Sequence, residues 1–594
     1  MFRVVEKPVE ALLSIPTLNQ LFAQSRQRRE PTYFATALRL LNVSYDLSAE
    51  DAAKIPLHGP LVVVANHPFG ALDGLILGDI LTRIRPDARL LGNRLLGRIP
   101  ELQPHIIPVN AFGGAAHDNA ASLRRAITWL KQGGALAIFP AGVVSHLQVR
   151  QGCVADPAWN ANVAGLIRHT GATVVTVFFE GRNSAIFQVS GLIHPLLRTV
   201  LLPSELLKRR GSRLSVRIGR PVQAHKIARY PDDATLVHYL RFKTYMLKER
   251  DSPVRPRFAP ATPSHTPEPI PNGSPSRVLE RELGEAGTEL LRQGDYRVML
   301  LRAEQAPRVL DEVGRLREVT FRGVQEGTGR ARDLDAFDAH YGHLVLWHQG
   351  RGELVGAYRV GRVDQILARL GPRGLYTSTL FKFAPGFLEG LAPALELGRS
   401  FVRAEYQGQA APLGLLWRGI GELLVRHPQY KTLLGPVSIS RSYSGLSRRL
   451  MLEFLTQRHG DDARSPLVKA RRPPKARLAR AERALFAGLL RDTDDLSTLV
   501  SDIEPDRKGV PVLLRHYLRL NATFLGFNRD PEFGNCIDGL ILVDLRTSDP
   551  KLLKRFMGEA GYARFRAHGS QANFEAACGR DAACSREAHA PRGE

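Results

Sequence analysis

Residues 251–276, DSPVRPRFAPATPSHTPEPIPNGSPS, constrain the fold more than any other stretch of this chain. Pro and Ser crowd the segment and apolar side chains are nearly absent. It has no face to bury and reads as an extended linker. The 594 residues are too many for one compact core, and this linker divides them into an N-terminal part of about 250 and a C-terminal part of about 320. A second break, RHGDDARSPLVKARRPPKARLARAER (458–483), is basic and holds a Pro-Pro pair, so a solvated insertion or a lid is expected there. From about His568 the residues are small and polar, and a frayed tail is expected over 568–594. The expected domains are thus 1–250 and 277–594, joined by 251–276.

Charge limits the partners. Lys+Arg 82 against Asp+Glu 58 leaves a net +24, spread along the whole length. Such a field favours nucleic acid, anionic lipid surfaces or acidic proteins. Part of it is compositional, because the bases are mostly Arg in an Ala-rich chain. Nucleic acid is the weakest option: the sequence has no zinc-finger spacing, no RNA-binding aromatic signature and no basic region leading into heptads. Four cysteines, at 153, 536, 578 and 584, form no paired framework or metal-type cluster, and a reducing cytoplasmic setting is expected with no metal. The first twenty residues carry acids and prolines, unlike a secretory signal. No run of about 18 residues is apolar enough to span a bilayer. The nearest, LIHPLLRTVLLPSELL (192–207), is broken by Arg198, two prolines and Glu205 and would lie in the interface.

Periodicity gives the fold class. PLVVVA (60–65) reads as a buried strand, followed by a helix from about Leu72 to Ile84. A helix over 121–133, ended by Gly133 and Gly134, leads to a strand over 135–140, and a helix over 162–171 leads to a strand over 172–181. That alternation predicts an α/β layer fold. In the C-terminal part a strand over 296–303, a helix over 307–321 and a hairpin over 343–361 predict a mixed α+β domain around a central sheet.

The turns after the N-terminal strands carry the chemistry. NHPFGALDG places His67 at a strand end and Asp73 at the start of the next helix. An Asp that accepts one ring N–H fixes the tautomer and leaves the other nitrogen to take a proton from an alcohol. Such turns also contain His and Asp for purely structural reasons. FPAGVVS (139–145) and FFEGRNSAIF (178–187) follow the next strands, so all three turns gather on one edge of the sheet.

These blocks resemble the lysophospholipid acyltransferase family over roughly residues 40–225, and the resemblance implies His67 as base and Asp73 as its orienting partner. Two departures stand out. Five residues separate His67 from Asp73 where the family has four, and Ala141 occupies the place of the family's Glu. They point away from glycerol-3-phosphate as acceptor. Gly142, Arg182 and Asn183 are binding candidates, with an Asn-capped turn as the alternative for the last two. In VADPAWN, Trp159 reads as a core aromatic and Asp156 as either a helix cap or a site residue.

In the C-terminal part, REVTFRGVQEG (317–327), DLDAFDAHYGHLVLW (333–347), VGAYRVG (355–361) and LELGRSFV (395–402) are bland singly. In this order they resemble GNAT-like acyltransferases related to acyl-homoserine-lactone synthases, closest to ornithine N-acyltransferases. By position the resemblance assigns Arg317, Phe321, Asp335, Asp338, Arg359, Glu396 and Arg399. Glu396 is the expected base for the amine; Arg359 and Arg399 would hold the acceptor's carboxylate, and Asp335 and Asp338 its amines. The stretch YQGQAAPLGLLWRG (406–419) lacks the Gly-rich spacing that holds the pyrophosphate of coenzyme A, so acyl carrier protein, an acidic partner suited to a +24 chain, is the expected donor.

Taken together, the resemblances imply a glycerolipid-acyltransferase-like α/β domain fused to a GNAT-like α+β domain. The fusion would N-acylate ornithine with a 3-hydroxyacyl group and then O-acylate the resulting lyso-lipid. No bound cofactor is expected, and the enzyme would work peripherally on the inner face of a bacterial inner membrane. Glycine, glutamine or lysine as head group, and an inactive membrane-surface binding protein, are the alternatives.

Overall fold

The computed structural model describes residues 31–109, 119–250, 267–475 and 489–568, with a few isolated positions between them. Most of the expected linker (251–266) and all but the first residue of the expected tail lie outside the described residues. The chain divides into two compact units, one of residues 1–254 with 478–491 and one of 255–477 with 492–594; the first crossing falls inside the predicted linker and the second inside the expected break at 458–483.

The first unit is a seven-stranded sheet in the order β1-β9-β8-β2-β5-β3-β4. Its strands are β1 (Ser44–Asp46), β2 (Leu61–Ala65), β3 (Arg89–Asn93), β4 (Ile106–Val109), β5 (Ala135–Ile138), β8 (Thr173–Phe179) and β9 (Arg213–Ile218), with a separate hairpin of β6 (His146–Gln148) and β7 (Cys153–Ala155). β2 is buried at every residue because it lies between β5 and β8 with both faces covered. Helices α1 (Tyr33–Leu40) and α2 (Ala71–Ile84) share with it a core that includes Phe34, Leu72, Ile76 and Leu77. β2, β5 and β8 run parallel, so their C-terminal ends meet at one edge, as the three polar turns required. α3 (Ala120–Lys131) precedes β5, α4 (Asn162–Thr170) precedes β8, and α5 (Ala185–Ile193) with α6 (Pro195–Lys208) connects β8 to β9. α7 (Asp233–Arg250) follows β9.

After α8 (Ser276–Ala286), the second unit is built on an eight-stranded sheet, β10-β11-β12-β13-β15-β16-β19-β18. The strands are β10 (Thr288–Gln293), β11 (Tyr296–Arg302), β12 (Gly342–His348), β13 (Glu353–Arg362), β15 (Ala394–Val402), β16 (Thr432–Ile439), β18 (Thr523–Asp530) and β19 (Cys536–Asp544). Every neighbouring pair is antiparallel except β15 with β16. Those two pair only from Ala394–Thr432 to Glu396–Leu434 and then part. Gly435 is required where they separate, since a Cβ there would stand 2.1 Å from the carbonyl oxygen of Leu397. α9 (Pro307–Gly323) and α11 (Ala410–Arg426) pack on this sheet.

The expected insertion at 458–483 is corrected over its described part. α12 (Gly445–His459) runs into it, and its strand β17 (Val468–Ala470) pairs antiparallel with β14 (Phe381–Phe383). The Arg472 N–H donates to Asn528 Oδ1 at 2.7 Å, tying the basic segment to β18. Lys469 belongs to a hydrogen-bonded strand, so charge alone did not signal a solvated lid.

Candidate active sites

In the first unit the end of β2 is clamped to the end of β8: Asn66 Nδ2 donates to the Phe179 carbonyl at 2.9 Å and the Phe179 N–H donates to Asn66 Oδ1 at 2.7 Å. The next residue is His67, whose ring stacks on Phe139 at 4.1 Å between centroids. Its Nδ1 lies 3.0 Å from Asp73 Oδ2. The same oxygen accepts from the Phe69 N–H at 2.8 Å and the Gly70 N–H at 3.0 Å. Asp73 is the third residue of α2, entered through Gly70 at φ 81°, and the five-residue spacing therefore still delivers the carboxylate to the imidazole. Burial raises the Asp73 pKa, while the imidazole and the two amides pull the other way. The pair fixes Nδ1 and leaves Nε2 as the nitrogen available for proton transfer.

His67 opens onto a cavity of about 1040 Å³ lined largely by apolar side chains, including Leu75, Ile99, Phe139 and Leu202. Gly142, at φ 67°, lines it. Arg182 does not line this cavity: its side chain is exposed and its carbonyl accepts from Arg209. Asn183 is buried, is absent from the lining, and its side-chain amide makes no hydrogen bond. The cap of α5 is Ser184 instead, so the Asn-capped turn is not formed either. Arg198 of α6 faces the cavity and escaped the sequence reading, since one Arg in an apolar run looked like an interruption.

Asp156 caps no helix and does not line the cavity. Its Oδ1 accepts from the His67 N–H at 3.2 Å and from the Ser145 hydroxyl, and its Oδ2 accepts from Trp159 Nε1 at 2.8 Å. The Ser145 N–H donates to the His67 carbonyl at 2.8 Å, so one buried carboxylate joins the first two turns. Trp159 is a core aromatic, as read from the sequence.

In the second unit the matched polar residues form a buried charge network. Arg317 Nη1 bonds Asp338 Oδ1 at 2.8 Å, and Arg359 Nη1 reaches Asp335 Oδ1 at 2.5 Å and Asp338 Oδ1 at 3.3 Å. Burial disfavours the ionised Asp338, but the Arg317 and Arg359 charges outweigh it and hold the carboxyl well below the usual range. Arg399, at φ 47°, lies 3.5 Å from Asp333 and 3.9 Å from Asp335, and its Nε has no hydrogen-bond partner. Asp335 and Asp338 spend their charge on these arginines, which corrects their expected role as holders of the acceptor's amines.

Glu396 also requires correction. It sits within β15, not in a turn after a strand, and is 1% exposed. Its carboxylate accepts from the Tyr341 hydroxyl at 2.7 Å and the Thr377 N–H at 2.8 Å. Burial raises its pKa, but it does not line the large cavity of this unit. It braces β15 against the segment that follows α10 (Val363–Leu370). Glu396→Ala is expected to strand two buried donors and cost about 2–4 kcal/mol, read as a fall in the chain's denaturation midpoint.

That cavity, about 1260 Å³, runs past Phe321, Ser400 and Tyr406 to Arg418 and Arg555. Of the matched residues only Phe321 lines it; Arg317, Asp335, Asp338, Arg359 and Arg399 do not. Glu326 also lines it and was missed, although it stands in the quoted stretch REVTFRGVQEG. Gln325 at φ 62° turns the chain out of α9 and presents Glu326. Burial and the Asp538 charge push the Glu326 carboxyl up to about 8, against Ser440 and Arg399. Asp538 itself is pushed up to about 6 by burial and by Asp530. No group of residues among those described could hold a metal ion, and no described helix is long and apolar enough to cross a membrane.

Residues 22–252 match the Acyltransferase family and residues 316–417 match the Acetyltransferase (GNAT) domain family. A Glycine N(alpha)-acyltransferase of Bacteroides thetaiotaomicron is 32% identical over 283 residues, 45% of this chain and 82% of that protein. A Lyso-glycine lipid O-acyltransferase of Phocaeicola vulgatus is 25% identical over 237 residues, 39% of this chain and 82% of that protein. The 1-acyl-sn-glycerophosphate acyltransferase of Thermotoga maritima, a crystal structure, aligns with 44% of this chain and all of its own at 15% identity and a TM-score of 0.24, too low to argue from.

Proposed function

The chain belongs, through its C-terminal domain, to the GNAT acyltransferase family that includes the Bacteroides thetaiotaomicron glycine N(alpha)-acyltransferase, and from that premise we propose that it builds a diacylated amino-acid lipid in two steps. The GNAT domain joins a 3-hydroxyacyl group to the α-amine of an amino acid. The N-terminal domain then acylates the new hydroxyl. The observation that carries this reading is one chain holding a His67–Asp73 pair on an apolar cavity and a GNAT sheet whose cavity presents Glu326.

In the first step Glu326 takes one proton from the ammonium, and the nitrogen attacks the thioester carbonyl. The C–S bond breaks, and the thiolate leaves with the second nitrogen proton. In the second step His67 Nε2 takes the hydroxyl proton as the oxygen attacks, and the departing thiolate recovers it. Asp73 stabilises the imidazolium between the two events.

The head group we favour is ornithine. Glu326, Asp530 and Asp538 form an acidic cluster with Arg399 as a counter-charge, and a second ammonium on the acceptor would offset the excess. Glycine is the second reading, supported by the names of the relatives. For the donor we favour acyl carrier protein: Arg418, Arg519 and Arg555 line the cavity, and the chain's +24 suits an acidic carrier. The setting we favour is the inner face of the bacterial inner membrane. Expression in a bacterium without aminolipids is expected to yield a new ninhydrin-positive, phosphorus-free lipid whose mass identifies the amino acid. Absence of any such lipid would sink the reading.

A further inference from the structure

The described residues include sixteen exposed large aliphatic side chains, and seven of them lie between Ile186 and Val200. That concentration is a property of one helical hairpin, α5 and α6. On α5, Phe187 and Gln188 are buried, whereas Ile186 (66% exposed), Val189 and Ile193 (77% exposed) recur at helical spacing on the outer face. On α6, Thr199, Leu202 and Leu206 line the cavity below, and Leu197 and Val200 point away from it.

The hairpin is rigidly held. Ser184 at the start of α5 donates its N–H to Glu205 Oε2 at 2.8 Å and its hydroxyl to Glu205 Oε1 at 2.6 Å. Gly191 lets the Arg198 side chain cross at close quarters, since a Cβ there would stand 2.4 Å from it. An exposed apolar face on a fixed element is a binding surface more often than a folding defect.

Charge selects the occupant. From Arg182 to Arg213 the sequence has six Lys or Arg residues against one acid, and that acid, Glu205, is buried and engaged by Ser184 and Lys208. Arg182, Lys208 and Arg210 are exposed at the base of the hairpin, next to the Ser184–Glu205 closure. Protruding aliphatics on a segment that carries six cations against one buried acid match the boundary of an anionic bilayer, where the alkyl groups enter the acyl region and the cations meet the headgroups.

We infer that the α5–α6 hairpin is a docking surface for an anionic lipid bilayer, seating the mouth of the His67 cavity on the membrane that carries its acceptor. The second clause rests on the O-acyltransferase reading; the docking itself does not. Phe187, Leu196 and Leu206 belong both to this hairpin and to the cavity lining, so a lyso-lipid can pass from bilayer to imidazole along one continuous apolar path.

The test uses the full chain and vesicles of phosphatidylcholine alone or mixed with phosphatidylglycerol. The wild type is expected to co-sediment with the mixed vesicles and much less with the neutral ones. V189D/I193D, which alters no cavity-lining residue, is expected to weaken that binding at least about tenfold, with an unchanged melting temperature and unchanged turnover of detergent-dispersed lyso-lipid. Equal binding by variant and wild type would overturn the proposal, as would a dimer in sedimentation velocity that V189D/I193D dissociates while vesicle binding persists. Docking without O-acyl transfer would refute the proposed function and leave this inference standing.

Discussion

A His67→Ala chain is expected to accumulate the mono-acylated amino-acid lipid and to lose O-acylation by about 10²–10⁴-fold. The imidazole is the titratable group aimed into the cavity from the β2 turn, and its Nδ1 is already committed to Asp73 at 3.0 Å. Without it the hydroxyl has no proton acceptor at the moment of attack. Asp73→Asn separates orientation from proton transfer: the ring stays on Phe139, but the preference for the Nδ1–H tautomer is lost, and an intermediate deficit is expected. N-acylation by the other domain is unaffected in both variants. Lipid extracts resolved by mass spectrometry check each point, and a normal diacyl-to-monoacyl ratio in His67→Ala would remove the imidazole from the mechanism.

Glu326→Gln is expected to stop the pathway one step earlier, with N-acylation reduced by about 10²–10³-fold and neither product formed. The sign of its pH dependence follows from the raised pKa. With the carboxyl held near 8 by burial and by Asp538, the proton-accepting form predominates only above that pH. Wild-type kcat/KM should fall about tenfold per pH unit below 8, and the residual activity of Glu326→Gln should lack that inflection. Stability moves as well. The folded chain holds this proton more tightly than the unfolded one, so the group's stabilising effect is full below the ordinary Glu value of 4.5 and lost as pH rises through 8. Above 8 the Gln variant should therefore melt higher than the wild type. A carboxylate that served only to pack the turn would shift the melting temperature without removing the kinetic inflection.

The His67–Asp73 turn of the first domain was legible because its signals are local. A buried apolar strand, a turn and a helix start are written between Leu61 and Asp73, and His67 and Asp73 fall where strand and helix geometry brings them together. The GNAT order of segments was legible in the same way. What the sequence concealed were relations across the sheet. Asp156 meets His67 only because β2 and the segment after β7 end at the same edge, and nothing in VADPAWN announces it. That Glu326 rather than Glu396 lines the cavity was hidden for a comparable reason: which carboxylate faces it depends on strand register and on the left-handed turn at Gln325. Residues 458–475 misled because their many Lys and Arg side chains hide a short strand that pairs with β14.

The β6–β7 hairpin is closed at its base by the bond between Ser145 and Asp156, and both ends of that bond also hold His67. Its tip, from Val149 to Gly152, lies beyond this closure. Length can therefore vary at the tip without being transmitted to the imidazole, which makes it the place in the first domain where an epitope or fluorophore can be grafted while the reaction centre keeps its dimensions.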